Sequence, residues 1–363
     1  MSELFFLPAQ YGDAFFLHCQ KGSEEGWIIV DGGPISNKKK SVFLQEVEKL
    51  PKIDLMVLTH HDKDHIVGIM TYVNVHKKEK PFPVTKFWVN CARHIDIEQG
   101  GDLSAPQANS LADVLKEIQK DSNIEWKENI TTGIDTSDIK FADIDVLSPS
   151  DDVLRRYISE YEKRVSASEK DEGLPLTAQD ETDDLNVSMK DLAQRTKGKI
   201  NENSYAVKAN MASIAFILRC DGLSILMLGD CFPQQIVDAL TARGITKEKK
   251  LKVDFVKVAH HGSKFNISNE LLDLIDCCNF LISTDGGQGQ TYHPNREALA
   301  NIICHPERKY DETLHLHFNY TLQSIWDNNG FNLFNEGEEK EYNFVIHEPD
   351  EEETEIRYRT TCY

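Results

Sequence analysis

The stretch Thr59-His60-His61-Asp62-Lys63-Asp64-His65 follows directly on an apolar run over residues 53–58. It offers His60, Asp62, Asp64 and His65 within six positions, and imidazole and carboxylate are the side chains that bind divalent zinc, manganese or iron. A strand that stops in a tight loop can aim several such groups at one point. The spacing therefore points to a metal centre rather than to a polar loop that happens to contain His and Asp. An isolated pair such as His315 and His317 carries no such weight.

Three other stretches share this plan of an apolar run with a polar tip. Residues 27–30 end in Asp31-Gly32-Gly33-Pro34, a sharp reversal in which glycines let the backbone pass close to something else. Residues 213–220 and 224–228 read as a hairpin that turns at Asp221-Gly222 and ends at Gly229-Asp230. Residues 255–259 end in His260-His261-Gly262-Ser263, and a glycine-rich loop over 286–294 carries His293.

Strands and helices must hold these tips in place. Strands are predicted over 3–6 and 14–18 around a Gln10-Tyr11-Gly12-Asp13 turn, then over 86–90, 141–147 and 280–283. Apolar residues at helical spacing predict helices over 39–50, 66–75, 111–119, 236–243 and 270–275. The alternation is that of a layered α/β protein. Residues 151–199 are strongly charged and poor in strand formers, which predicts an insertion of helix plus linker outside the core. Beyond residue 312, alternating segments over 313–318, 322–326 and 343–347 predict a β-rich C-terminal extension (313–363) with an acidic tail, behind a main domain over 1–312.

Composition narrows the class. With 363 residues the chain can bury a large core. No run approaches the apolar length of a membrane span and no signal-peptide layout opens the chain, so a cytoplasmic protein with no membrane partner is expected. The 8 cysteines are scattered without CxxC spacing, which favours reduced thiols over a disulfide framework. A net charge of -20 repels nucleic acid at long range and argues against extended duplex binding. A pair of divalent ions would still be a large local positive charge.

In order along the chain, Asp31, the Thr59-His60-Asp64-His65 set, Asp230 and a strand-end His at 260 or 261 resemble the motifs of the metallo-β-lactamase superfamily. Within it, the likeness is to the metallo-hydrolase domain of ComEC-type competence proteins and their stand-alone relatives. The chain shares their H-x-D-x-D-H at His60, Asp62, Asp64 and His65, and an Asn near a Ser at Asn210 and Ser213. It also has their G-D at Gly229-Asp230, H-H-G-S at 260–263 and late H-P at His293-Pro294. Their early Q-G-D-A turn is similar here, with one residue inserted.

This resemblance implies an α/β fold, the αββα four-layer sandwich, and two divalent metal ions, zinc or manganese, that activate a bridging water. His60 and Asp62 would hold one ion and Asp64 and His65 the other, with Asp230 between them. His261 would complete the second site, with His260 behind it or the two exchanged. Asp31 would orient His60 or His65, Asn210 would replace a missing His or merely pack, and Ser263 would support the His pair. His293 would act on the leaving group beside the catalytic Asp64 and His261, while Lys257 and Lys264 are candidate phosphate contacts. Asp62 in place of a His makes the site more oxygen-rich and shifts expectation toward manganese.

The implied reaction is phosphodiester hydrolysis on a nucleotide or single-stranded nucleic acid. A hydrolase of small esters, thioesters or lactams is the alternative. A regulatory subunit that binds a protein partner through the 151–199 insertion or the C-terminal extension is a third reading, because fold alone does not choose a reaction.

Overall fold

A computed structural model of the chain describes residues 1–36, 41–90, 110–167, 185–195, 205–287, 292–349 and 356–359. The chain opens with an antiparallel meander of β1 (Glu3–Phe6), β2 (Phe15–Lys21) and β3 (Glu24–Val30). Helices and strands then alternate: α1 (Val42–Val47), β4 (Ile53–Leu58), α2 (Lys63–His76), β5 (Val84–Val89), α3 (Leu111–Asp121) and β6 (Glu125–Lys127). Strands β3 to β6 pair in parallel, and β4 is almost continuously apolar, as a strand covered on both faces must be.

The second half follows the same plan. β7 (Asp143–Ser148) precedes α4 (Asp151–Ala167), α5 (Met189–Ala193) and α6 (Tyr205–Met211), and β8 (Ala215–Cys220) and β9 (Leu223–Met227) complete a second antiparallel meander. There follow α7 (Pro233–Ala242), β10 (Leu251–Lys252), β11 (Phe255–Lys257), α8 (Asn269–Leu272), β12 (Ile275–Asp276), β13 (Asn279–Ile282), α9 (Arg296–Ile303) and β14 (Leu314–Phe318). The chain ends in α10 (Leu322–Asn329), α11 (Glu338–Glu341), β15 (Phe344–His347) and β16 (Ile356–Arg359).

Two seven-stranded sheets result, ordered β16-β1-β2-β3-β4-β5-β6 and β15-β14-β13-β11-β9-β8-β7, with β10 and β12 as a separate short pair. Leu4, Phe6 and Leu55 of the first sheet share one buried cluster with Phe216, Ile225 and Leu281 of the second, so the sheets pack face to face. The outer face of the first sheet, through Phe16, Ile29 and Met56, is covered by Ile66, Met70 and Val73 of α2 and by Leu115 of α3. On the other side Leu226, Val256 and Ile282 are covered by Leu240 of α7 and Leu299 of α9. The layers run helix, sheet, sheet, helix, which is the expected αββα sandwich. No helix among the described residues is long and apolar enough to cross a membrane.

Several expectations are corrected. Residues 322–326 are helical: Thr321 caps α10 by accepting from Ser324 N, left-handed Gly330 ends it, and Leu322 and Ile325, three apart, share a helix face where a strand would turn them to opposite sides. Residues 270–275 form only the single turn of α8 before β12 begins. The helix expected over 39–50 is the shorter α1, with 39–40 outside the described residues.

The 151–199 stretch is not wholly outside the core. Met189 and Leu192 of α5 are fully buried beside α9, and Leu154 and Tyr157 of α4 pack on Ala209 and Ala212 around α6. Two apolar positions per short helix suffice for docking even where charge dominates the composition. Residues 168–184 and 196–199 lie outside the described residues, as do 288–291 of the glycine-rich loop. From residue 313 on, β14 and β15 extend the second sheet in parallel, and β16 pairs with β1 in the first.

Candidate metal centre

All the strand-end tips meet at one end of the sandwich, beyond the carboxyl ends of β3, β4, β9 and β11. Helix α2 begins inside the histidine loop. Asp62 is its N-cap residue, yet the Asp62 side chain makes no capping hydrogen bond. An N-cap carboxylate ordinarily accepts from the first turn; here Oδ2 lies 3.6 Å from His60 Nε2 instead. Asp64 and His65 occupy the first helical turn.

One buried carboxylate orders both histidines of this loop. Asp31 Oδ2 accepts from Thr59 Oγ1 at 2.6 Å and from His65 Nδ1 at 2.8 Å, and its Oδ1 accepts from Thr59 N at 2.8 Å. Thr59 Oγ1, having donated its proton, accepts from His60 Nδ1 at 3.1 Å. This network assigns the Nδ1–H tautomer to both rings and turns both Nε2 atoms inward. Asp31 thus touches His65 directly and His60 through Thr59.

The second half supplies the facing groups. Asp230 follows β9 and is buried, with Oδ2 at 3.6 Å from His60 Nε2 and 3.7 Å from His260 Nε2, and Oδ1 at 3.5 Å from His65 Nε2. His260 and His261 follow β11 in consecutive left-handed conformations, with φ of 48° and 54°. Such a conformation costs a non-glycine residue on the order of 1 kcal/mol or more. It splays neighbouring side chains to opposite sides of Asp230. His261 Nδ1 donates to Ser283 O at 2.9 Å, leaving Nε2 at 3.1 Å from Asp64 Oδ2, while Asp64 Oδ2 is also 3.7 Å from His65 Nε2.

Two groups therefore form around the two oxygens of Asp230: His60, Asp62 and His260 on one side, and Asp64, His65 and His261 on the other. The ligand atoms of Asp64, His65, Asp230 and His261 all lie within 4.8 Å of one another. His60 Nε2, His65 Nε2 and Asp230 Oδ1 are fully buried and make no hydrogen bond. Buried polar atoms are rarely left so, and mutually facing imidazole and carboxylate groups of this kind are the donor set of a divalent-ion site. The residues present fit the expected metal.

The electrostatics agree. Burial alone would raise the Asp230 carboxyl, but His260, His65 and His60 hold it well below its ordinary range. Burial would lower His65, yet Asp230, Asp64 and Asp31 outweigh it and raise it well above the usual imidazole value. His261 is pushed up to about 9, because Asp13, Asp64 and Asp230 overcome its burial. In His260 burial dominates and keeps the ring neutral.

Of the other expected residues, Asn210 sits behind His260, its Nδ2 3.3 Å from His260 Nδ1. Ser263 closes the turn, its N donating to His260 O at 2.9 Å and its hydroxyl accepting from Phe265 N at 3.4 Å. The His293 ring lies 5.1 Å from that of His260 and 6.4 Å from that of His261. Burial, then the two neighbouring histidines, hold His293 well below its ordinary value and so neutral. Lys264 is partly exposed, with its ammonium over Phe265. Lys257 is corrected: it is fully buried, contacts Asp13 and donates to Gly229 O at 3.1 Å, so it cannot grip a substrate phosphate.

Asn266 and Tyr157 escape a motif reading, and Asp13 and Lys257 take a role that it did not assign. Asn266 donates to Asp230 O at 3.0 Å and Cys231 O at 3.1 Å while its Oδ1 is 3.2 Å from His260 Nδ1, fixing the spacing of the two strand-end loops. Tyr157 of α4 reaches the metal loop, its hydroxyl 2.8 Å from His61 Nδ1. Asp13 and Lys257 form a buried ion pair behind the histidines. A lysine in the apolar run Phe255-Val256-Lys257-Val258 was the legible sign of such a pair, because an unpaired ammonium does not survive in a covered strand.

No protein-family model matches the chain, and no curated protein matches it in sequence. Solved structures do align with it. The diiron β-hydroxylase CmlA from Streptomyces venezuelae aligns over 99% of this chain at 12% identity and a TM-score of 0.40; the chain spans 54% of CmlA. The metallo-β-lactamase fold protein YhfI from Bacillus subtilis aligns over 99% of this chain and 100% of its own, at 11% identity and a TM-score of 0.38. Zn2+-bound PqqB from Methylobacterium extorquens gives 99% and 100% coverage, 9% identity and a TM-score of 0.42. Likeness at this level says nothing of a shared reaction; the chemistry rests on the side chains described above.

Proposed function

We propose that the chain is a metal-dependent hydrolase of phosphodiester bonds, acting on nucleotides or single-stranded nucleic acid. The observation that carries the hydrolase reading is the buried Asp230 carboxylate, whose two oxygens face two separate His/Asp groups. His60, Asp62, His260 and Asp230 would hold one divalent ion, and Asp64, His65, His261 and Asp230 the other. Bound there, such ions supply Lewis acidity toward a substrate oxygen and lower the pKa of a coordinated water.

The chain's own groups do the rest. Asp31 and Thr59 lock the inner histidines, Ser283 locks His261, and Asn266 accepts from His260 Nδ1, so the donor set is preorganised before substrate arrives. His293, neutral and beside both strand-end histidines, can donate a hydrogen bond to a substrate oxygen but has no spare proton to give. The phosphodiester choice is supported by the oxygen-rich set that Asp62 creates and by the ordered motifs shared with ComEC-type domains.

The test is cleavage of single-stranded DNA, RNA, cyclic nucleotides, bis-(nitrophenyl) phosphate, a lactone and a thioester by the full chain with manganese or zinc. Phosphodiester cleavage is expected, reduced about a hundredfold or more in Asp64→Ala with the fold retained by circular dichroism. Turnover of the lactone or thioester alone would overturn the choice of substrate.

A further inference from the structure

Behind the candidate metal centre lies a second cluster that the proposed chemistry does not use. His65 has two faces. Its Nε2 side meets Asp64 and Asp230; its Nδ1 side meets Asp31 Oδ2 at 2.8 Å and Asp13 Oδ2 at 3.8 Å. Asp13, Asp31 and His65 are all buried and their ligand atoms lie within 4.8 Å of one another, and with the His65 Nδ1 proton given to Asp31 it is the two carboxylates that draw a cation to this side.

A cation is already there. The Lys257 ammonium contacts Asp13 Oδ2, donates to Gly229 O at 3.1 Å, and stands 3.8 Å from Asp230 Oδ1. Asp13 Oδ1 in turn lies 3.5 Å from His261 Nδ1. Burying an ammonium and a carboxylate together carries a desolvation cost that their attraction only offsets in good geometry, so an apolar pair would serve a purely structural end at least as well. The turn that carries Asp13 is built for this position: Asp13 N donates to Asp64 O at 3.1 Å, and a Cβ on Gly12 would lie 1.8 Å from that same oxygen. Charge count points the same way. Asp13, Asp31, Asp62, Asp64 and Asp230 converge here, and Lys257 with two divalent ions would neutralise these five carboxylates, whereas two ions without Lys257 would leave one negative charge unmatched.

We propose that Lys257 is a resident cation of the centre: its ammonium holds Asp13 on the Nδ1 side of His65, confines metal ions to the Nε2 side, and so sets how many the site accepts. This rests on the metal-centre reading above. Lys257 and Asp13 act as positioning residues that touch the ligands and not the substrate.

The experiment is a cobalt(II) titration of the full-length protein, followed by visible absorption and calorimetry, on wild type, Lys257→Met, Asp13→Asn and the double variant. Lys257→Met leaves Asp13 without a counter-charge and is expected to take up one equivalent more than wild type. Asp13→Asn frees the ammonium to pair with Asp230 Oδ1 and is expected to weaken one wild-type equivalent about tenfold or more. The double variant, with neither charge, returns to the wild-type count. Opposite effects of the single changes that cancel in the double are not what loss of packing produces. Wild type and both single variants titrating alike would overturn the proposal alone, whereas a wild type that binds no cobalt overturns the metal reading with it. Should Lys257→Met fail to fold, unaltered affinity in Asp13→Asn suffices to overturn it.

Discussion

In the metal-free protein His65 and His261 carry protons that a metal ion must displace. His261 Nε2 shares its proton with Asp64 Oδ2 at 3.1 Å, and the surrounding carboxylates push this imidazole up to about 9. A metal ion needs the lone pair that the proton occupies, so its affinity must rise with pH for as long as the proton is bound. Between about pH 6 and 9 the apparent Kd for manganese is expected to fall about tenfold per unit from His261 alone, and to level off above. Calorimetry in two buffers of different ionisation heat checks this by counting released protons; a pH-independent Kd would contradict it. His60, Asp62, Asp64, His65 and Asp230 could be found in the sequence because their spacing is local or falls at a strand end. That His260 and His261 face opposite sides of Asp230 could not, because the paired positive φ values that separate them leave no mark in H-H-G-S. Asn266 was hidden for another reason: its role is a set of hydrogen bonds to backbone, which has no residue signature.

At the scale of elements, the site depends on how closely α2 approaches the turn after β3. Gly68 N donates to Gly33 O at 2.9 Å and Gly32 N to His65 O at 2.8 Å. A Cβ on Gly68 would lie 2.0 Å from Gly32 O. Helix propensity predicts that Gly68→Ala stabilises α2 by about 1 kcal/mol, but a backbone collision cannot relax as a side chain would, and overpacking costs about 1–3 kcal/mol or more. The steric term is expected to win. Gly68→Ala should lower the urea midpoint and weaken metal uptake together, since the helix that moves carries Asp64 and His65; a higher midpoint would contradict the argument. Elements with one clear period, such as β4 and α3, were legible in the sequence. The segment over 322–326 was not, because five residues are too few to show a period, and only the single i, i+3 pair Leu322 and Ile325 with the caps at Thr321 and Gly330 marks the helix. Composition hid α5 in the same way: Met189 and Leu192 are its whole buried face within a charged stretch.

Over the whole molecule, the two halves repeat one plan, an antiparallel meander followed by parallel strands, and the centre lies where their strand ends meet. His60, Asp62, Asp64 and His65 come from the first half and Asp230, His260 and His261 from the second, so bound ions tie the sheets together across the seam. Removing them should therefore loosen the fold as well as end any activity. At free manganese about a hundredfold above its Kd, ions that bind only the folded chain add about 2.7 kcal/mol. Dialysis against a chelator is expected to lower the melting temperature and manganese to restore it; an unchanged melt would show that the seam holds without ions. The layered α/β class could be anticipated from strand and helix periods, and the four layers from the family resemblance, but the partnership of Asp13 with Lys257 could not, because it joins the first turn of one half to the deepest strand of the other. The consecutive left-handed histidines also bear on how such a protein can change over generations. Because adjacent residues serve different ligand groups, His260 beside Asp230 and His261 beside Asp64, with no spacer between them, any one-residue insertion or deletion at 260–261 disturbs both groups at once. Descendants can lose one half of the centre by substitution while keeping the other, but they cannot do so by changing length at this point.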